Sequence, residues 1–181
     1  MSLSNVPARL GGLSAAAVCA AVLMSACAMP GGSKPAATAK LAPTQGNTTA
    51  GTVDFYKDGE HVVVQARITG LKPGSEHGFH VHEKGDCSSP DGMSAGGHFN
   101  PSGQPHGGEG GARHAGDMPN LKADAAGQAD VRLHLMGVTI GSGAADIVGK
   151  AVIVHANPDD YRSQPAGNAG PRLACGVIAA R

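Results

Sequence analysis

Nine histidines stand among 181 residues, and six of them, His77, His80, His82, His98, His106 and His114, fall between positions 77 and 114. Neutral imidazole is a ligand for copper and zinc, so a cluster of this kind points first to metal chemistry. His80 and His82 lie two apart in a β-like run, which sends both side chains from one face toward one ion. His98, His106 and His114 follow at equal steps of eight, and His114-Ala115-Gly116-Asp117 adds a carboxylate one tight turn later. His155 ends a later apolar run. A carboxylate joining three imidazoles suits tetrahedral zinc. Seven candidate ligands exceed one ordinary site, which implies two metals or a shared ligand. A lone histidine is more often structural than coordinating. Here the strand pairing, the loop that gathers ligands and the placement of His155 together outweigh that reading. Spacing alone identifies neither the metal nor a reaction.

The elements that must hold these residues are short strands. Gly51 to Tyr56 reads as one, and His61 to Thr69 alternates, with Val62, Val64 and Ala66 on one face and Val63, Arg67 and Thr69 on the other. Asp58-Gly59 between them is a hairpin signal. A Lys72-Pro73-Gly74 turn leads into a strand from His77 to Glu83. From Gly85 to Pro119 the pattern dissolves into Gly, Pro, His and Asp, and so long an irregular loop is ordinarily functional. Periodicity returns at Ala129 to Val138, Lys150 to His155 is nearly continuously apolar, and Gly176 to Ala180 closes the chain. Six to eight strands with long loops and no convincing helix predict an all-β sandwich or barrel.

Composition agrees. The 28 glycines are roughly twice ordinary usage, and without Trp the core must come from Val, Ile, Leu and Ala. A net charge of zero gives no basic surface for nucleic acid. Arg9 precedes an apolar run, Leu10 to Met24, that is too short to span a membrane comfortably and reads as a signal peptide. The run ends in Met24-Ser25-Ala26-Cys27, which resembles a bacterial lipobox with Met24 as a departure, so Cys27 is the expected lipidation site. The expected division is residues 1–27 as signal, 28–48 as a flexible linker and 49–181 as the folded domain. Export implies an oxidising compartment, the periplasm or cell envelope. There the two remaining cysteines, Cys87 and Cys175, can form one internal bridge, the alternative being two free thiols.

Three segments, Gly78-Phe79-His80-Val81-His82-Glu83, Ser94-Ala95-Gly96-Gly97-His98-Phe99-Asn100-Pro101 and Gly167-Asn168-Ala169-Gly170-Pro171-Arg172-Leu173-Ala174-Cys175-Gly176, closely resemble the signatures of copper/zinc superoxide dismutase, in the right order. The resemblance runs from about Thr49 to Ala180. It implies a Greek-key β-sandwich or barrel with long metal-binding loops, copper and zinc ions as cofactors, and disproportionation of superoxide anion. It implies copper ligands His80, His82 and His155, a bridging His98, and zinc ligands His98, His106, His114 and Asp117. Asp159 matches a carboxylate that orients a ligand of each metal, and His77 a structural histidine. His61 and His134 have no expected role. Arg172 matches the channel arginine that meets superoxide, with Cys175 pinning its segment through Cys87.

Two features depart from some members of the family that the chain resembles, the first from the eukaryotic ones and the second from those with a longer charged loop. Cys87 follows His82 by only five residues, and Tyr161 to Ala166 is a short segment whose one formal charge is Arg162. Less steering of substrate is expected from that segment. A homodimer is left open, and membrane contact is expected only through the N-terminal lipid. The rival reading, a protein that stores or delivers copper, has no need of Arg172 or of a complete second metal set.

Overall fold

The computed structural model describes residues 1–2 and 34–181. Cys27 and nearly all of the expected signal lie outside the described residues. Nine strands follow in chain order: β1 (Ala37–Pro43), β2 (Ala50–Asp58), β3 (His61–Thr69), β4 (Glu76–His77), β5 (Phe79–His82), β6 (Leu121–Lys122), β7 (Ala129–Leu135), β8 (Ala151–His155) and β9 (Arg172–Ala180). Seven form one curled antiparallel sheet in the order β5-β8-β9-β1-β2-β3-β7, and β4 pairs with β6. The chain leaves β3 at one side, places β5 at the far edge, returns to lay β7 beside β3, then crosses again to β8. These crossings give the expected Greek-key arrangement. Among the described residues the only helix is a single 3₁₀ turn, Met93–Ala95, and none is long and apolar enough to cross a membrane.

Alternation builds the core. Val62, Val64, Ala66 and Ile68 of β3 are buried beside Val53 and Phe55 of β2, while Arg67 and Thr69 face out. Gly59 and Glu60 form the two-residue hairpin turn between them, and Gly59 takes the positive φ of 59° that such turns require. The apolar run in β8 is buried along its whole length, because β5 and β9 flank it.

Three sequence expectations need correction. The linker assigned to residues 28–48 contains β1, an interior strand paired with β2 on one side and β9 on the other. Its inward residues are Ala37, Ala39 and Leu41, and the two small alanines leave the alternation weak. The strand expected from His77 to Glu83 breaks at Gly78 into β4 and β5, and a β-carbon there would lie 2.8 Å from that of Ala169. The last strand begins at Arg172, four residues before Gly176.

Cys87 and Cys175 are joined, with Cα atoms 5.7 Å apart across 88 positions of sequence. The bridge fastens the loop after β5 to the middle of β9, and Ala95, Ala151 and Ile153 pack around it. Replacing both cysteines with serine is expected to lower unfolding free energy by about 3–4 kcal/mol, read from urea denaturation; an unchanged midpoint would count against a stabilising bridge.

Candidate metal centre

β5 is short, fully buried and at the edge of the sheet, with β8 on one side only. The irregular loop covers its other side. Val81 donates to Gly116 O at 2.9 Å, Phe99 donates to Val81 O at 2.8 Å, and Glu83 donates to Gly97 O at 2.9 Å. This pairing satisfies the exposed edge and fixes the loop's register. His98 comes to lie opposite His82, and Asp117 opposite His80. From the other side β8 delivers His155, whose N–H donates to Gly78 O at 2.8 Å.

All the ligand residues expected from sequence converge. Ligand atoms of His80, His82, His98 and His155 lie within 4.8 Å of one another, and so do those of His98, His106, His114 and Asp117. His98 belongs to both groups, and all seven residues are buried. His77 stays outside, its Nδ1 donating to His155 O at 2.8 Å with Ser75 Oγ 2.7 Å from its Nε2. His61 and His134 are solvent-exposed.

The hydrogen bonds fix which nitrogens carry lone pairs. His82 Nδ1 donates to Gly96 O at 2.9 Å and His155 Nδ1 donates to Gly170 O at 3.1 Å. In the neutral rings both Nε2 atoms are then acceptors, yet they face each other at 3.3 Å. Two lone pairs so placed call for a cation. Asp159 accepts from His80 Nε2 at 2.8 Å through one oxygen and from His106 Nε2 at 2.9 Å through the other. That leaves His80 Nδ1 and His106 Nδ1 buried without a hydrogen-bond partner, together with His98 Nε2 and His114 Nδ1. Burying such atoms unpaired is costly. Asp117 Oδ1 accepts from His98 Nδ1 at 2.7 Å, through a proton that an ion held by both groups would displace. The approaches of Asp117 to His106 Nδ1 and His114 Nδ1, at 3.0 and 3.3 Å, lack hydrogen-bond geometry, as expected of atoms converging on a shared ion. The donor set therefore fits two ions, one held by four nitrogens and the other by three nitrogens and an oxygen.

Electrostatics keep the ligands ready. Burial, followed by the neighbouring imidazoles, pushes His80 and His82 well below the ordinary histidine value. Burial is also the main cause that brings His155 down to about 4, against the Gly170 carbonyl, and it lowers His114. Burial alone would raise Asp117, but the hydrogen bond from His98 and the surrounding imidazoles hold it below the usual carboxylate range. Neutral imidazole and ionised carboxylate are the forms that bind metal.

Above His82, His98 and His155 opens a cavity whose wall includes Arg172, Met93 and Gln164. The Arg172 guanidinium donates to Gly92 O at 2.7 Å and to Gly96 O at 2.6 Å. Gly96 O therefore serves both Arg172 and His82.

Sequence reading missed the residues that hold the centre from behind. Asn120 accepts from the Asp159 N–H at 2.8 Å and donates to its carbonyl at 2.9 Å. Gln164 accepts from the His106 N–H and donates to its carbonyl, both at 2.9 Å. Gly167, at φ 61°, packs so closely on Asp159 that a β-carbon would collide with its carboxylate. An amide in an irregular loop carries no periodic signal, so only the fold could reveal these pairings.

An imidazole whose folded pKa lies below its unfolded value weakens the fold once pH drops under the unfolded value, because the unfolded chain takes up the proton first. For metal-free protein, stability is expected to be nearly flat above pH 7 and to fall as pH goes from about 6.5 toward 4. Urea midpoints across that range are the measurement; a level profile would mean the histidines are not held neutral.

Residues 49–178 match the family model described as copper/zinc superoxide dismutase (SODC). Superoxide dismutase (Cu-Zn) 2 of Aquifex aeolicus (strain VF5) is 42% identical over 149 residues, covering 78% of this chain and 85% of the relative. Among solved structures, a SOD-like protein from Bacillus subtilis matches with a TM-score of 0.71 at 36% identity, covering 77% of this chain and 96% of that one. The clock protein EA4 matches with a TM-score of 0.72 at 39% identity, covering 83% and 98%. The match takes in the strands from β2 to β8 and nearly all of β9, together with every converging ligand, and on that extent the chain belongs to the copper/zinc superoxide dismutase family.

Proposed function

We propose that this chain disproportionates superoxide, two anions and two protons giving oxygen and hydrogen peroxide, at a copper–zinc centre bridged by His98. The observation that carries the reading is the membership of His98 in both buried ligand groups. His80, His82, His98 and His155 would hold copper, and His98, His106, His114 and Asp117 would hold zinc. When bound, copper supplies reversible one-electron chemistry and zinc supplies fixed positive charge.

The chain's own residues do the rest. Asp159 grips one ring of each group, so the two sets cannot drift apart. His98 presents Nδ1 to Asp117, which leaves Nε2 as the atom able to hold a proton and release it to product. Arg172 stands in the wall of the cavity over His82 and His155, its guanidinium charged at every working pH, and attracts the small anion. The carbonyls of Gly92 and Gly96 aim it. Similarity alone does not choose the activity, since the relatives include one called SOD-like and one called a clock protein. The complete second ligand set and the cation at the mouth favour the enzyme over a copper store.

Protein loaded with copper and zinc is expected to accelerate superoxide decay. His98→Ala should sharply reduce that rate and alter the optical and paramagnetic spectra of copper. Loaded protein with no effect on superoxide decay would leave storage as the better reading.

We further propose that the protein works in the cell envelope, tethered through Cys27. Support comes from the sequence: Arg9, the apolar run and Ser25-Ala26-Cys27 before a Gly/Pro-rich stretch. Mass spectrometry of the native N-terminus should find acylated Cys27; a soluble form whose N-terminus lies beyond Cys27 would show an ordinary secreted protein instead.

A further inference from the structure

β8 and β9 pair in steady register as far as Val154 and Ala174, then slip by one, so that His155 stands opposite Arg172 and Leu173 is an extra residue on β9. A β-bulge of this kind bends a strand and re-aims its side chains. Here it lies between a ligand histidine and the arginine of the cavity wall.

The other flank of the bulge belongs to β1. Pairing of β1 with β9 runs to Pro43 opposite Ala174, and proline has no N–H to offer. The next residue, Thr44, takes over. Its N–H donates to Leu173 O at 3.0 Å. Its hydroxyl donates to Arg172 O at 2.6 Å and lies 3.1 Å from Leu173 O. A hydroxyl has one proton, and Asn47 Nδ2 donates to Thr44 Oγ1 at 2.8 Å, leaving that proton for the carbonyl of the arginine. Thr44 is only 8% exposed, so little water competes.

The same short segment also braces the guanidinium end. Gln45 N–H donates to Pro90 O at 2.7 Å, tying the exit of β1 to the loop that carries Gly92 and Gly96. A β-carbon placed on Gly92 would lie 3.3 Å from Thr44 Cγ2 and 3.5 Å from Arg172 Cβ and Cδ, so glycine there lets the three pack flush. Arg172 is thus held at its backbone carbonyl by Thr44 and at its guanidinium by the carbonyls of Gly92 and Gly96, with the Thr44 methyl beside Gly92.

We infer that Thr44 is a positioning residue for Arg172: it replaces the ladder at the bulge and sets the direction in which the guanidinium meets the entering anion. This rests on the reading of Arg172 as the group that captures superoxide. Thr44 touches no metal ligand among its hydrogen-bond partners, so its effect should be on capture and not on metal loading.

The test is a double-mutant cycle on the full chain loaded with copper and zinc, following the second-order rate with superoxide at low ionic strength and the inhibition constant of inorganic phosphate as an anion probe. Arg172→Gln should slow capture by about 10-fold or more. Thr44→Val, which keeps the shape and loses the hydroxyl, should slow it by about 3-fold and weaken phosphate by the same factor, with metal content unchanged. Thr44→Ser should restore both. In the Arg172→Gln background Thr44→Val should cost nothing more, because its effect passes through the arginine. An equal loss in both backgrounds, or no loss beside a slowed Arg172→Gln, would overturn the role of Thr44 and leave that of Arg172 standing. An unaffected Arg172→Gln would remove the reading beneath it. Should Thr44→Val not fold, Asn47→Ala keeps the hydroxyl but frees its direction; it should give a smaller loss that again vanishes with Arg172→Gln, and an unchanged rate would overturn the inference.

Discussion

The centre is held together by backbone hydrogen bonds along the edge of β5 that β8 leaves open. An edge strand exposes N–H and C=O groups that must be paired or covered, and this one is covered by the loop that contains most of the remaining ligands. Val81 is the hinge of that arrangement. Its N–H and C=O both face the loop, so a slip of one residue would turn His80 and His82 away from the side on which His98 and Asp117 arrive. The positions of His80, His82, His98 and His155 follow from ladder register, with the long loop bridged to β5 at His98 and Asp117.

Much of this was legible in the sequence, because the ligands are chemically conspicuous. Paired His80 and His82 announced a strand face, and His61 to Thr69 announced β3 with its true boundaries. The resemblance in the three glycine-rich segments carried the division of ligands between two ions, which spacing could not provide. The illegible parts share a physical cause. β1 is an alanine strand in proline-rich surroundings, and its stability comes from neighbours on both sides, not from its own propensity. Asn120, Gln164 and Thr44 act through paired hydrogen bonds to backbone atoms tens of positions away, and such bonds leave no local pattern.

Two charge requirements compete around His82 and His155. The ligands must be neutral to bind metal, whereas the anion must meet a cation close by. Burial resolves the first, and Arg172 contributes to it, since its charge further depresses both imidazoles. One guanidinium therefore draws the substrate and helps keep protons off the ligands. Orientation matters to both tasks, which is why the loop carbonyls, the bridge from Cys87 and the bulge on β9 all converge on one side chain.

β1 has a mechanical consequence as well. Ala36 donates to Phe55 O and accepts from Arg181 N, at 2.8 and 2.9 Å, so the first residues of the domain enter the sheet beside the last ones. From there the strand runs seven residues between two partners before reaching Thr44. Tension directed along β1 from its N-terminal end would load two hydrogen-bonded ladders in parallel, as shear, instead of opening them one rung at a time. The force would be spent across the ladders before it reached the cavity, so a pull on the chain ahead of β1 would be damped at the end of the strand farthest from the arginine.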